Sequence, residues 1–130
     1  MSEQVRDKSM RVLVADDQGK VRSALRLLLE HERDVEVMGE AVDATGLGDW
    51  LRAACPDVVL LDWELPGLGG ERMDTLRALC PSMTIIALSG QPGARQAALA
   101  EGADGFVSKG DPPERLLAAI AERGVRETAG

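Results

Sequence analysis

No apolar run in this chain approaches the ~20 residues that a membrane helix needs, which excludes a membrane span. The N-terminus, MSEQVRDKSM, is polar and has no apolar core of a secretory signal, so the expected compartment is the cytoplasm. Positive charge is scarce: 15 Lys and Arg against 22 Asp and Glu leave a net charge of −7, which argues against binding of nucleic-acid phosphates by this domain. Cysteine is scarce too. Cys55 and Cys80 each precede a proline at an expected helix end, and their spacing matches no metal motif. A disulfide is unusual in the expected compartment, so they are read as small, partly buried thiols. The one histidine, His31, stands in the charged stretch LLLEHERD and is expected at the surface rather than as a ligand.

With 45% hydrophobic and 28% charged residues the composition is that of ordinary globular material, and 130 residues suit one domain. Such a domain buries roughly two thirds of its unfolded-chain surface. The domain is expected over residues 10–124, with loose segments at 1–9 and 125–130. Five apolar runs bounded by turn residues read as strands: RVLVA (11–15), VEVMGEA (35–41), DVVLL (57–61), MTIIAL (83–88) and GFVS (105–108). Between them KVRSALRLLLEHE puts Val21, Leu25, Leu28 and Leu29 on one helical face and Arg22, Arg26 and Glu30 on the other. GERMDTLRALC repeats the pattern with Met73, Leu76, Leu79 and Cys80, and RQAALAEG is stopped by Gly102. In DPPERLLAAIAER, Asp111 is the expected N-cap, followed by prolines and Glu114. TGLGDWLRAAC is the weakest helix, with two glycines near its start. Within it Trp50, at helical spacing from Leu47, Leu51 and Ala54, reads as core.

Regular alternation of strands and helices implies parallel strands joined by right-handed crossovers, with helices on both faces. VVLL and TIIAL are continuously apolar, as buried central strands are, whereas VEVMGEA alternates and suits an edge. The expected fold is therefore α/β and flavodoxin-like, a doubly wound five-stranded sheet in the order 2-1-3-4-5, with its ligand site outside the carboxyl ends of the strands. Five polar residues fall there: Asp16 and Asp17 after the first strand, Asp62 after the third, Ser89 after the fourth and Lys109 after the fifth. Three carboxylates brought together repel unless a cation intervenes, and hard oxygen donors favour Mg²⁺. Three negative carboxylates, the metal's two positive charges and one on Lys109 sum to zero. Phosphorylating Asp62 adds about one negative charge and three acceptor oxygens, which the metal, Lys109, the Ser89 hydroxyl and backbone N–H groups can neutralise. Pro66 and Gly67 in LPGLGG suit a tight turn that leaves Asp62 uncovered, and Gly69 and Gly70 are read as letting backbone pass close by.

These motifs, VLVADDQ, VVLLDWELPGLGG, ALSG and GADGFVSKG, closely resemble the receiver domain of two-component response regulators, over about Arg11 to Arg123. RVLVADDQGKVRSALRLLLE and VMGEA look most like receivers that precede a LuxR-type helix-turn-helix domain. The resemblance implies a signalling phosphoacceptor rather than an enzyme in the usual sense, with Asp62 taking a phosphoryl group from a histidine kinase. It implies Mg²⁺ held by Asp17, Asp62 and the main-chain carbonyl of Glu64, with Asp16 acting through a water. Lys109 would pair with phosphoryl oxygens, Ser89 would move toward them, and Phe106 would occupy the switch-aromatic position without a tyrosine's hydroxyl. Trp63 and Glu64 stand where the lifetime of the phosphoryl group is tuned. A sensor histidine kinase and, after phosphorylation, a second copy of the chain are the implied partners. About seven residues follow the last expected helix. Two outputs are therefore weighed, a stand-alone phosphoryl shuttle and the front of a LuxR-type transcription regulator, with the wording favouring the second. A haloacid-dehalogenase-like phosphatase wants an aspartate where Glu64 stands. A flavin carrier wants a phosphate cradle where the acidic ADDQGK loop stands. A receiver-like module that is never phosphorylated has no need of all five residues.

Overall fold

The computed structural model of the chain describes residues 9–70 and 72–129, with side chains described through residue 122. Of the segment expected to be loose at the N-terminus, residues 1–8 fall outside the described residues; the segment expected to be loose at 125–130 lies in a helix as far as Ala129. The elements run β1 (Met10–Ala15), α1 (Gly19–Glu30), β2 (Val35–Ala41), α2 (Ala44–Ala53), β3 (Val58–Asp62), α3 (Arg72–Leu79), β4 (Thr84–Ser89), α4 (Ala94–Ala100), β5 (Gly105–Ser108) and α5 (Pro113–Ala129). All neighbouring strands pair in parallel, in the order β2-β1-β3-β4-β5. This is the flavodoxin-like sheet expected from the sequence.

The two-residue period of the strands divides the core. Leu13, Ala15, Val59, Leu61, Ile85 and Ala87 point to one face, where Leu47, Leu51, Met73, Leu76 and Ala98 of α2, α3 and α4 cover them. Val12, Val14, Val58, Leu60, Ile86 and Leu88 point to the other, under Leu29 of α1 and Leu116 and Ile120 of α5. Every residue of β3 and β4 is buried, whereas β2 is half-exposed, as an edge strand should be. No helix among the described residues is long and apolar enough to cross a membrane.

Local signals account for several ends. The side chain of Asp43 accepts the Gly46 N–H at 2.8 Å and caps α2, which offsets the low propensity of its glycines. After α4, Gly102 adopts φ +111°, and the N–H groups of Gly102 and Ala103 donate back to Leu99 and Ala98, closing a Schellman motif. Trp50 packs on the core, its indole N–H donating to the Glu40 carbonyl at 3.0 Å. Gly39 lies beneath that ring, where a Cβ would come within 2.2 Å of it. His31 is exposed at the end of α1.

Three expectations are corrected. Cys55 and Cys80 are joined in a disulfide, with Cα atoms 5.8 Å apart. The helices α2 and α3 lie on the same face of the sheet and bring their carboxyl-terminal ends together there, which a spacing of 25 residues does not reveal. Asp111 is not the cap of α5: its carboxylate accepts the Ser108 N–H at 3.1 Å and closes the turn that leaves β5. The helix then opens at Pro113. Gly69 and Gly70 are not sites of close backbone approach, since a Cβ on either meets nothing within 4 Å.

Candidate functional site

The β1 strand delivers its chain to the carboxyl edge as Asp16 and Asp17. Asp16 is fully buried. Its N–H donates to the Ala41 carbonyl at 3.0 Å, and its own carbonyl accepts from the Arg22 guanidinium at 2.9 Å, so its position is fixed from both sides. One carboxylate oxygen accepts the Gln18 N–H at 2.9 Å. The other has no well-aligned hydrogen bond and is met by the Lys109 ammonium at 2.9 Å. Asp17 is exposed beside it.

Asp62 is the last residue of β3 and only 2% exposed. Its Oδ1 accepts the Glu64 N–H at 3.0 Å and lies 3.4 Å from Lys109 Nζ. Beyond it Leu65 to Leu68 form a turn closed by a 3.3 Å bond from Leu68 N–H to the Leu65 carbonyl, with Pro66 and then Gly67 at φ +91° in the central positions. A Cβ at Gly67 would stand 3.1 Å from the Cβ of Ala44, and the Pro66 carbonyl accepts the Ala44 N–H at 2.8 Å. The turn thus lies against the start of α2 and away from the acceptor carboxylate. Arg72 lies 3.8 Å over the Trp63 ring, donates to the Trp63 carbonyl at 2.8 Å and pairs with Glu101 at 3.2 Å.

Ser89 ends β4 and is fully buried. Its hydroxyl donates toward the Glu64 carboxylate, with oxygen distances of 2.8 and 3.0 Å, and accepts the Gln91 N–H at 3.0 Å. Its carbonyl accepts the Lys109 N–H at 2.9 Å, which holds the chain after β5 beside β4. All five expected residues, Asp16, Asp17, Asp62, Ser89 and Lys109, therefore meet on one edge. Phe106 is half-buried on β5 against the α2, α3 and α4 side of the core. Nothing in the sequence marks the Glu64 side chain or Arg72 for these contacts. The pairing of Asp62 with Leu88 in the β3–β4 register is the feature that brings Glu64 and Ser89 within reach.

Electrostatics mark the edge as unsatisfied. Burial, followed by the charge of Asp16, raises the Asp62 carboxyl above its ordinary value, against the opposing Glu64 N–H and Lys109. For Lys109 burial acts downward, but the close ion-pair contact and charge of Asp16, and then of Asp62, outweigh it and leave the ammonium raised. Carboxylate oxygens of Asp16, Asp17 and Asp62 lie within 4.8 Å of one another. Hard oxygen donors, an excess of negative charge and a buried Asp16 oxygen met by Lys109 alone fit a divalent cation of the Mg²⁺ kind.

The chain matches the family model of the response regulator receiver domain over residues 12–121. It is 32% identical over 114 residues to the response regulator UvrY of Escherichia coli, covering 84% of this chain and 51% of that protein. A two-component response regulator of the LuxR family from Aurantimonas sp. SI85-9A1 superimposes with a TM-score of 0.80 at 31% identity, covering 90% of this chain and 86% of that one. RcsB from Salmonella enterica, solved on promoter DNA with the phosphomimetic BeF3⁻, gives 0.80 at 31% identity, covering 88% of this chain and 60% of that one. The chain spans about half the length of the curated relatives it matches. A doubly wound sheet carrying an acid cluster, a serine and a lysine on its carboxyl edge, together with these matches, makes the chain a member of the response regulator receiver domain family.

Proposed function

We propose that this chain is a phosphoacceptor that takes a phosphoryl group on Asp62 from a sensor histidine kinase in the cytoplasm. The observation that carries this reading is a nearly buried carboxylate on the most apolar strand, held 3.4 Å from a lysine and facing two further acids. An Asp62 oxygen attacks phosphorus, the bond from phosphorus to the donor's imidazole nitrogen breaks, and the electron pair leaves with the donor. The product carries about one more negative charge than the aspartate did. Lys109 is placed to pair with phosphoryl oxygens, and the Glu64 N–H beside Asp62 is an available donor. Asp17, Asp62 and the Glu64 carbonyl would hold Mg²⁺ directly, with Asp16 acting through a water. When bound, the metal supplies charge neutralisation at the transferring group.

An apolar groove between α1 and α5, lined by Val21, Leu25, Leu88, Pro112 and Leu116, runs up to Lys109 and offers a surface on which a protein donor can dock. Ser89 and Phe106 are the switch residues: the hydroxyl moves toward the phosphoryl group and the ring fills the space it leaves, by packing alone. The likeness to a LuxR-family response regulator supports a role as the receiver of a transcription regulator, and the RcsB dimers bound to DNA support pairing with a second copy, for which the last strand and helices are the surface we assign.

The test is intact-protein mass after incubation with acetyl phosphate and Mg²⁺. The wild type is expected to gain one phosphoryl group, lost on hydroxylamine treatment, while Asp62→Asn and the wild type in chelator gain none. An unchanged wild-type mass would overturn the reading.

A further inference from the structure

We propose that Glu64 is an internal competitor for the Ser89 hydroxyl, a positioning residue that holds Ser89 in the resting arrangement and must release it when Asp62 is phosphorylated. This deepens the phosphoacceptor reading and rests on it. The Ser89 hydroxyl has one proton to donate. In this structure that proton is directed at the Glu64 carboxylate, whose two oxygens lie 2.8 and 3.0 Å from Ser89 Oγ. The hydroxyl's acceptor side is taken by the Gln91 N–H at 3.0 Å. Ser89 is fully buried, so solvent does not replace the carboxylate as its partner.

Glu64 itself is anchored at the acceptor, since its N–H donates to Asp62 Oδ1 at 3.0 Å. One residue therefore touches the phosphoacceptor through its amide and the switch hydroxyl through its side chain. A hydroxyl that turns to a phosphoryl oxygen on Asp62 must first leave the carboxylate. A charged acceptor makes that bond stronger than one to a neutral group. The added negative charge on Asp62 then pushes the carboxylate away, so release and repulsion act in the same direction. Glu64 thus raises the free energy of reaching the switched state, and its removal favours that state.

The experiment titrates the full chain with beryllofluoride in saturating Mg²⁺. It is read by tryptophan fluorescence and by the Gln91 amide resonance, which reports on Ser89 Oγ directly. Wild type, Glu64→Gln, Glu64→Ala, Ser89→Ala and the Glu64→Ala/Ser89→Ala double variant are compared, each first checked for a cooperative melt. Glu64→Ala is expected to bind about tenfold tighter than wild type, with its unliganded Gln91 resonance displaced toward the loaded position. Glu64→Gln, which keeps a neutral acceptor, should gain about threefold. In the Ser89→Ala background the gain should shrink below about twofold, the part due to exposed charge alone. A wild type that binds beryllofluoride while Glu64→Ala binds no tighter overturns the competition. So does an equal gain with and without Ser89, which would mean plain repulsion. A wild type that fails to bind at all overturns the phosphoacceptor reading, and this inference with it.

Discussion

The two edges of the sheet treat their acids in opposite ways. At the amino edge Asp57 accepts the Arg11 N–H at 2.8 Å, and Asp104 accepts the Ile85 N–H at 2.8 Å while pairing with Arg77 at 2.8 Å. The Cys55–Cys80 bridge ties the ends of α2 and α3 on the same side. At the carboxyl edge Asp16, Asp17 and Asp62 gather around Lys109, and the Asp62 carboxyl is pushed up by burial and by Asp16. One edge spends its polar groups on holding the chain together; the other leaves charge uncompensated. Sites that act on ligands commonly carry such a cost to stability, and here it is confined to the edge the topology reserves for chemistry.

Three measurements sharpen this contrast. The largest effect belongs to the bridge: in the loop-entropy account, reducing it lowers the unfolding free energy by about 3.5 kcal/mol. Urea unfolding with and without reductant reads this, and phosphoryl uptake should survive the treatment because the bridge is remote from Asp62. Next, Asp104→Ala leaves the Ile85 N–H and Arg77 without this acceptor and is expected to cost about 2 kcal/mol in the same assay, again with uptake retained. The smallest effect has the opposite sign. Asp62→Asn is expected to stabilise the metal-free protein at neutral pH by about 1 kcal/mol.

That last effect depends on pH in a defined direction. The native pKa of Asp62 is raised above 3.8, so the native state holds this proton more tightly than the unfolded chain does. Stability is therefore lost as pH rises from 3.8 through the raised native value. The gain from Asp62→Asn should be full at neutral pH and fade as pH falls to 3.8 and below. Mg²⁺ should also remove it by stabilising the wild type alone. A destabilised Asp62→Asn at neutral pH would mean that the two edges are alike.

The strands and the site were legible for the same reason. VVLL and TIIAL lack alternation because both their faces are covered, and a polar residue directly after such a run has to emerge at the sheet edge. Placing Asp62, Ser89 and Lys109 together needed only the strand order. What stayed hidden depends on reach and direction. Glu64 meets Ser89 through side-chain rotation across two adjacent strands, 25 residues apart in sequence. The cysteines meet because α2 and α3 run far enough to bring their ends side by side. Asp111 has the composition of a cap, but the Ser108 N–H, three residues earlier in the chain, takes its carboxylate. Gly69 and Gly70 show that a glycine in a loop does not by itself report crowding.

Arg72 joins parts of the molecule that the sheet does not. Its guanidinium lies on the indole next to the acceptor, binds that residue's carbonyl and reaches Glu101 beyond the end of α4. A planar fork of five donors can serve all three at once, whereas a lysine, with one point of charge, cannot. One side chain thus ties the backbone directly after Asp62 to the residue that caps α4, a link between two segments that share no strand pairing.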